Sequence, residues 1–337
     1  MEQILTKERR IELMEELGRY MGGESDTWQK AKEMAGYSNP WFSSSHIAAA
    51  VSGIIQAYLS PGVLSRWLEA YTLPSRPCTV GIVMAGNIPM VGFHDMLCGF
   101  ISGHRMMLKL SSKDEILMRH IVQWLYAQEP ALQDAIVIAE RLTGCDAYIA
   151  TGSNNTARYF EQYFGKYPHI IRKNRTSVAI LDGSETDAEL DALADDVYLY
   201  YGLGCRNVTQ VCVPEGYNFE RLLQRLSKYD SYADFSKYQN NYDYHLALYL
   251  LNKVPYMSNK SLLMVQNDLP FSAVSVLHYR YYTDRQALLH ELDSSEDIQA
   301  IVASDRIPFG QSQLPQLSDY ADGVDTMAFL CSVQGLP

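Results

Sequence analysis

TVGIVMAGNIPMVGFHDMLCGFISGHRMMLKL, residues 79–110, is the run that decides the fold. Residues 79–85 form a short apolar stretch of strand type. Gly86, Asn87 and Pro89 then punctuate the chain as a loop, because these residue types turn a backbone rather than extend it. Residues 91–102 read as a helix, and residues 105–110 return to a strand. A strand, a helix and a second strand in so short a span describe a crossover unit, the building block of a parallel sheet covered by helices.

The same alternation continues outward. A helix is expected over 113–128, strands over 135–139 and 147–150, a helix opened by Thr151-Gly152-Ser153-Asn154, and strands over 169–172 and 177–181. A helix-like run over 189–201 and a strand over 208–213 follow. Residues 219–226 are helical, and the tyrosine-rich 229–249 is helical in part. Strands are expected over 261–265, 273–281 and 298–303, and the tail over 319–330 reads as a loop leading into a short strand. Towards the N-terminus the texture is helical: Ile4, Ile11, Leu13, Met14 and Leu17 make an amphipathic opening that Gly22-Gly23 ends, and Ser43-Ser44-Ser45 caps the next helix.

The chain of 337 residues exceeds the usual size of one domain, so two domains are the default. A net charge of −11 without a lysine- or arginine-rich block argues against nucleic acid and anionic membranes as main partners. The charged opening over 1–10 has no apolar signal region, and the apolar run over 91–110 is broken by His94, Asp95, His104, Arg105 and Lys109, so no membrane span and a cytoplasmic location are expected. Cys78, Cys98, Cys145, Cys205, Cys212 and Cys331 form no CxxC pair, and the histidines have no ligand-type spacing, so free thiols and no metal are expected.

One cysteine is placed unlike the rest. In Tyr200-Tyr201-Gly202-Leu203-Gly204-Cys205-Arg206-Asn207 two glycines flank Leu203 and deliver Cys205 between a helix and a strand. Arg206 beside it favours thiolate, the reactive form; the plainer alternative is a small apolar residue at a tight turn. Asn87 follows a buried-type strand, where an amide can donate to a developing oxyanion or merely stabilise its own loop. Lys109 ends a strand before Ser111 and Ser112, where an ammonium can hold ribose hydroxyls or phosphate, or simply snorkel to water. Gly152 and Ser153 open a helix whose free N–H groups suit a diphosphate, although any capped helix looks the same. His94-Asp95 could serve as an acid but is more often a structural pair.

Taken in order, these pieces resemble the aldehyde dehydrogenase superfamily, and within it the LuxC-type acyl-CoA reductases. The resemblance runs from about Val80 to Leu330 and rests on residues 83–89, 108–114, 201–207 and Pro308-Phe309-Gly310. It implies an α/β, aldehyde-dehydrogenase-like fold with a helical N-terminal segment. A Rossmann-like nicotinamide-cofactor domain would span 1–173, a catalytic domain 174–310 and a C-terminal return segment 311–337. It also assigns roles: Cys205 as nucleophile, Asn87 as oxyanion donor, Lys109 with Ser111 on the adenosine ribose, and Gly152 and Ser153 facing the cofactor diphosphate.

The implied reaction is NADPH-dependent reduction of an acyl-CoA, or another acyl thioester, to an aldehyde through an acyl-cysteine. NADH is the alternative cofactor. An acyltransferase or thioesterase using the same cysteine, and a non-catalytic subunit of the same fold, are the rival readings. A homo-oligomer, within a larger acyl-reductase complex, is the implied assembly, although the hairpin many superfamily members use to assemble is missing between Tyr71 and Val80. Two departures bear on chemistry. Where hydrolytic relatives carry a glutamate base, the chain reads Arg172-Lys173-Asn174-Arg175-Thr176-Ser177, without a carboxylate. The glutamate that touches the nicotinamide ribose aligns with residues 267–271, where Asp268 is the only carboxylate.

Overall fold

A computed structural model describes residues 4–333. The chain divides into two compact units, one built from the chain up to Asn174 and again from Pro315, the other from Arg175–Leu314. The first unit opens on helices α1 (Lys7–Gly22), α2 (Asp26–Ser38), α3 (Ser44–Ile54) and α4 (Val63–Trp67). Thr6 and Ser43 cap α1 and α3 by accepting the Arg9 and His46 amides. Leu13, Met14 and Leu17, one face of α1, are buried with Trp28 and Ile47 in one apolar core.

That core continues under a parallel sheet. Strands β1 (Thr79–Val83), β2 (Arg105–Lys109), β3 (Ile136–Ile138), β4 (Ala147–Thr151) and β5 (His169–Arg172) alternate with α5 (Phe93–Ser102), α6 (Glu115–Gln128) and, after β4, α7 (Asn154–Phe164). The strand order is β3-β2-β1-β4-β5, every pair parallel. The chain leaves β1 in one direction, to β2 and β3, then returns to place β4 on the other side. The crevice between β1 and β4 is therefore a topological switch point, where open α/β sheets bind ligands.

The second unit has its own sheet. Strands β6 (Thr176–Ile180), β7 (Val208–Pro214), β8 (Met257–Ser258), β9 (Leu263–Gln266), β10 (Val276–Tyr282) and β11 (Ile298–Val302) lie in the order β11-β6-β7-β10-β9-β8. All pairs are parallel except β8 with β9. Helices α8 (Asp187–Tyr198), α9 (Phe219–Leu226), α10 (Ser236–Leu251) and α11 (Arg285–Asp293) complete the unit. A capping box between Thr186 and Glu189 starts α8.

The tail departs from the sequence reading. Residues 326–332 form a helix, α12 (Thr326–Ser332), where a short strand is expected. The Asp325 carboxylate accepts the Ala328 amide at 2.8 Å and so nucleates a helical turn. Met327 and Leu330, three apart, are both fully buried, which a helix face satisfies. No single helix among the described residues is long and apolar enough to cross a membrane.

Candidate active site

Three of the proposed site segments leave the carboxyl ends of strands in the first unit. The loop after β1 carries Asn87, which is exposed. Under it, Gly86 lies so close to Ser111 that a Cβ at residue 86 would sit 2.4 Å from the Ser111 hydroxyl oxygen. Only glycine allows that approach, so the Asn87 loop and the loop after β2 are packed as one piece. Lys109 ends β2, and its Nζ donates to the Glu140 carbonyl at 2.6 Å, which holds the ammonium beside the end of β3. After β4, Ser153 caps α7 by accepting the Thr156 amide at 3.3 Å. A Cβ on Gly152 would come within 2.9 Å of Phe160 and 3.0 Å of Thr156, so the backbone turns there against its own helix. The structure thus brings Asn87, Lys109, Ser111, Gly152 and Ser153 to the carboxyl edge of three adjacent strands. An ammonium, a hydroxyl and the free N–H groups of an eleven-residue helix around a switch point fit the ribose and diphosphate of a dinucleotide.

Cys205 belongs to the second unit and lies elsewhere on its sheet. The turn that carries it leads into β7, so the cysteine stands at the amino end of its strand. After α8 the chain makes a left-handed passage: Tyr200 and Tyr201 both have φ 57° and Gly202 has φ 74°. Glycine tolerates that region, but each tyrosine is strained by roughly 1–3 kcal/mol. Aromatic packing holds the second of them. The Tyr201 ring lies 4.4 Å from Tyr232 and 4.9 Å from Phe235, centre to centre.

Asn207 organises the turn. Its Oδ1 accepts the Gly204 amide at 2.8 Å, and its Nδ2 donates to the carbonyls of Asp196, Val197 and Leu199 at 3.0, 3.3 and 2.8 Å. The first two of those carbonyls lie in the last turn of α8, where a helix leaves its C=O groups without intrahelical partners, and Leu199 is its C-cap. The Ser177 hydroxyl donates to the Cys205 carbonyl at 3.1 Å, and the Asn207 amide donates to the Gly204 carbonyl at 3.1 Å. The backbone on both sides of the cysteine is therefore fixed by side chains buried beneath it. Asn207→Ala strips partners from one amide and three carbonyls at a residue with no exposure. It should lower unfolding free energy by about 3 kcal/mol in denaturant titrations. The rate of Cys205 alkylation should change with it, and an unaltered alkylation rate would deny Asn207 its hold on the turn.

The other cysteines have different surroundings. Cys78, Cys98, Cys145 and Cys212 are buried, and Cys331 is partly so. Burial pushes the thiols of all five upward. Cys205, also partly exposed, is the one carried on a built turn. Asp95, weighed in the sequence as an acid, is buried and ion-paired with Arg172, which also donates to the Thr326 hydroxyl at 2.7 Å. His94 donates from Nε2 to the Leu317 carbonyl at 3.0 Å. His94 ties α5 to the returning tail directly, and Asp95 reaches it through Arg172 of β5.

Sequence reasoning singled out Cys205 but missed what supports it. Asn207 was within the quoted stretch and had a signal, an asparagine two residues past a candidate nucleophile at the start of a strand. The strained Tyr201 had none, since its ring partners lie some thirty residues on in the tyrosine-rich segment.

A chain with a Rossmann-order sheet, a second parallel sheet and a cysteine on a strained turn falls in the aldehyde-dehydrogenase-like fold, and solved structures bear this out. An aldehyde dehydrogenase of Mycobacterium tuberculosis complexed with NAD+ matches with a TM-score of 0.67 at 12% identity, over 89% of this chain and 74% of that one. An NAD-dependent aldehyde dehydrogenase of Sinorhizobium meliloti matches with a TM-score of 0.68 at 12% identity, over 93% and 72%. An E. coli NADP-dependent enzyme matches with a TM-score of 0.64 at 14% identity, over 89% and 74%. Among curated proteins, none matches this sequence. The model of the acyl-CoA reductase (LuxC) family matches residues 60–228, half of the chain. The protein belongs to that family. The family supports an oxidoreductase working at the acyl–aldehyde level.

Proposed function

We propose that the protein is an NADPH-dependent acyl-CoA reductase with Cys205 as its nucleophile. The observation that carries this reading is the Cys205 turn. Two strained tyrosines, Asn207 and Ser177 all serve to present one thiol.

The Cys205 thiolate attacks the thioester carbonyl. The carbonyl electrons move to oxygen, where the Asn87 amide and the Cys205 backbone N–H receive the negative charge. The oxyanion collapses, the bond to the CoA sulfur breaks, and an acyl-cysteine remains. Lys109, Ser111, Gly152 and Ser153 would hold the cofactor, which supplies hydride to the acyl carbon. The resulting thiohemiacetal oxyanion, again met by Asn87, expels the Cys205 thiolate and releases aldehyde. A covalent holder suits a reaction that makes two substitutions at one carbon. The choice of NADPH over NADH is supported by the residues after β2, where Leu110, Ser111 and Ser112 place no carboxylate to repel a 2′-phosphate.

Water must be kept from the acyl-cysteine. The stretch over 172–177 offers cations, an amide and hydroxyls instead of a base, and Asp95 is occupied by Arg172.

Incubation with NADPH and a panel of acyl-CoAs should show loss of nicotinamide absorbance matched by aldehyde. Thioester cleavage without NADPH oxidation would replace the reading with a thioesterase or acyltransferase. Lys109→Ala should raise the dissociation constant for NADPH about tenfold, the loss of one charged hydrogen bond. Acylation of Cys205 should remain measurable in that variant. Equal NADPH affinity in variant and parent, by calorimetric titration, would remove Lys109 from the cofactor site.

A further inference from the structure

Asp114 is buried, 3% exposed, at the N-cap position of α6. An aspartate there ordinarily accepts an amide of its own helix. Asp114 makes no such bond. Its carboxyl instead reaches the loop after β1, where Oδ2 accepts the Met90 amide at 2.6 Å. Met90 is itself unusual, being buried, non-glycine and left-handed at φ 57°. Strain of that kind persists only where the surroundings over-determine it. Two contacts do so here: the Asp114 bond at one end of the loop, and the close packing of Gly86 on Ser111 at the other. Asn87 lies between them.

We infer that Asp114 is a positioning residue for the oxyanion donor: through the Met90 amide it holds the loop that presents Asn87. The inference rests on the reading of Asn87 as that donor. It also ties the oxyanion loop to the 109–114 segment, so the cofactor side and the oxyanion side of the first unit share one buried anchor. Burial pushes the Asp114 carboxyl up to about 8, against the opposing effect of the Met90 N–H. Oδ1 is buried and has no hydrogen-bond partner among the described residues, so the Met90 amide is the contact through which the carboxyl acts. An asparagine is a close mimic in shape and keeps an oxygen that can accept the Met90 amide.

The test compares Asp114→Ala with Asp114→Asn in the full-length protein. Turnover with acyl-CoA and NADPH should fall tenfold or more in D114A, with both KM values little changed, and should stay within about twofold of the parent in D114N. Amide hydrogen exchange over residues 85–91 should rise in D114A alone. If D114A does not fold, D114N still decides, because loss of turnover or of protection in D114N overturns the inference. Equal turnover in D114A and the parent overturns it as well. A parent that makes no aldehyde fails the reductase reading itself, and the positioning role fails with it. Exchange, which needs no activity, then reports separately whether Asp114 holds the loop.

Discussion

Cys205→Ala should abolish aldehyde formation, with a loss of at least roughly 10⁴-fold in turnover, as befits removal of a nucleophile on which every later step depends. The expectation follows from how much structure serves that one side chain. Asn207, with no exposure, makes four hydrogen bonds around the turn, and Ser177 fixes the cysteine carbonyl. The variant removes one sulfur atom and leaves these bonds in place, so it should fold and still bind NADPH. Labelled acyl-CoA should mark Cys205 in the parent and nothing in the variant. Label on Cys145 or Cys212, both buried with thiols pushed upward, would overturn the assignment.

The second large effect belongs to Asn87. Asn87→Ala should lower turnover by about 10²–10³-fold, because a lost oxyanion donor raises the barrier by roughly 2.7–4 kcal/mol. NADPH affinity should change little, since Lys109, Ser111 and Ser153 are untouched. The loop itself should survive, because its anchors are the Met90 amide and Gly86 rather than the Asn87 side chain. Both acylation and hydride transfer pass through an oxyanion, so both should slow, and rapid-mixing kinetics can separate them. Unchanged turnover would return Asn87 to the role of a turn residue.

The alternation of apolar strands and helices was legible because a parallel sheet buried on both faces writes itself as short apolar runs. Strand β4 (Ala147–Thr151) has four consecutive buried residues, and β6 (Thr176–Ile180) has five. The error over 326–332 arose because a short apolar run is ambiguous between strand and helix. The deciding signal, Asp325 as a cap, was one residue upstream and went unused. Candidate site residues were legible as positions, polar groups at the ends of strands. Their supports were not. Asp114 falls inside the helix expected over 113–128, and only the folded chain shows its carboxyl on the Met90 amide, 24 residues away. Asn207 acts on carbonyls 8–11 residues before it, which no side-chain pattern announces.

The central claim is that Cys205 carries an acyl group that yields to hydride and not to water. It is tested most directly by mixing enzyme with acyl-CoA in the absence of NADPH, counting free CoA, and then adding NADPH. General-base assistance is worth roughly a hundred- to ten-thousand-fold in rate. The stretch over 172–177 has no carboxylate to supply it. One equivalent of CoA per active site should appear and then stop, and NADPH should release a matching equivalent of aldehyde. Sustained CoA release with matching free acid, before any NADPH is added, would make the protein a hydrolase and contradict the account.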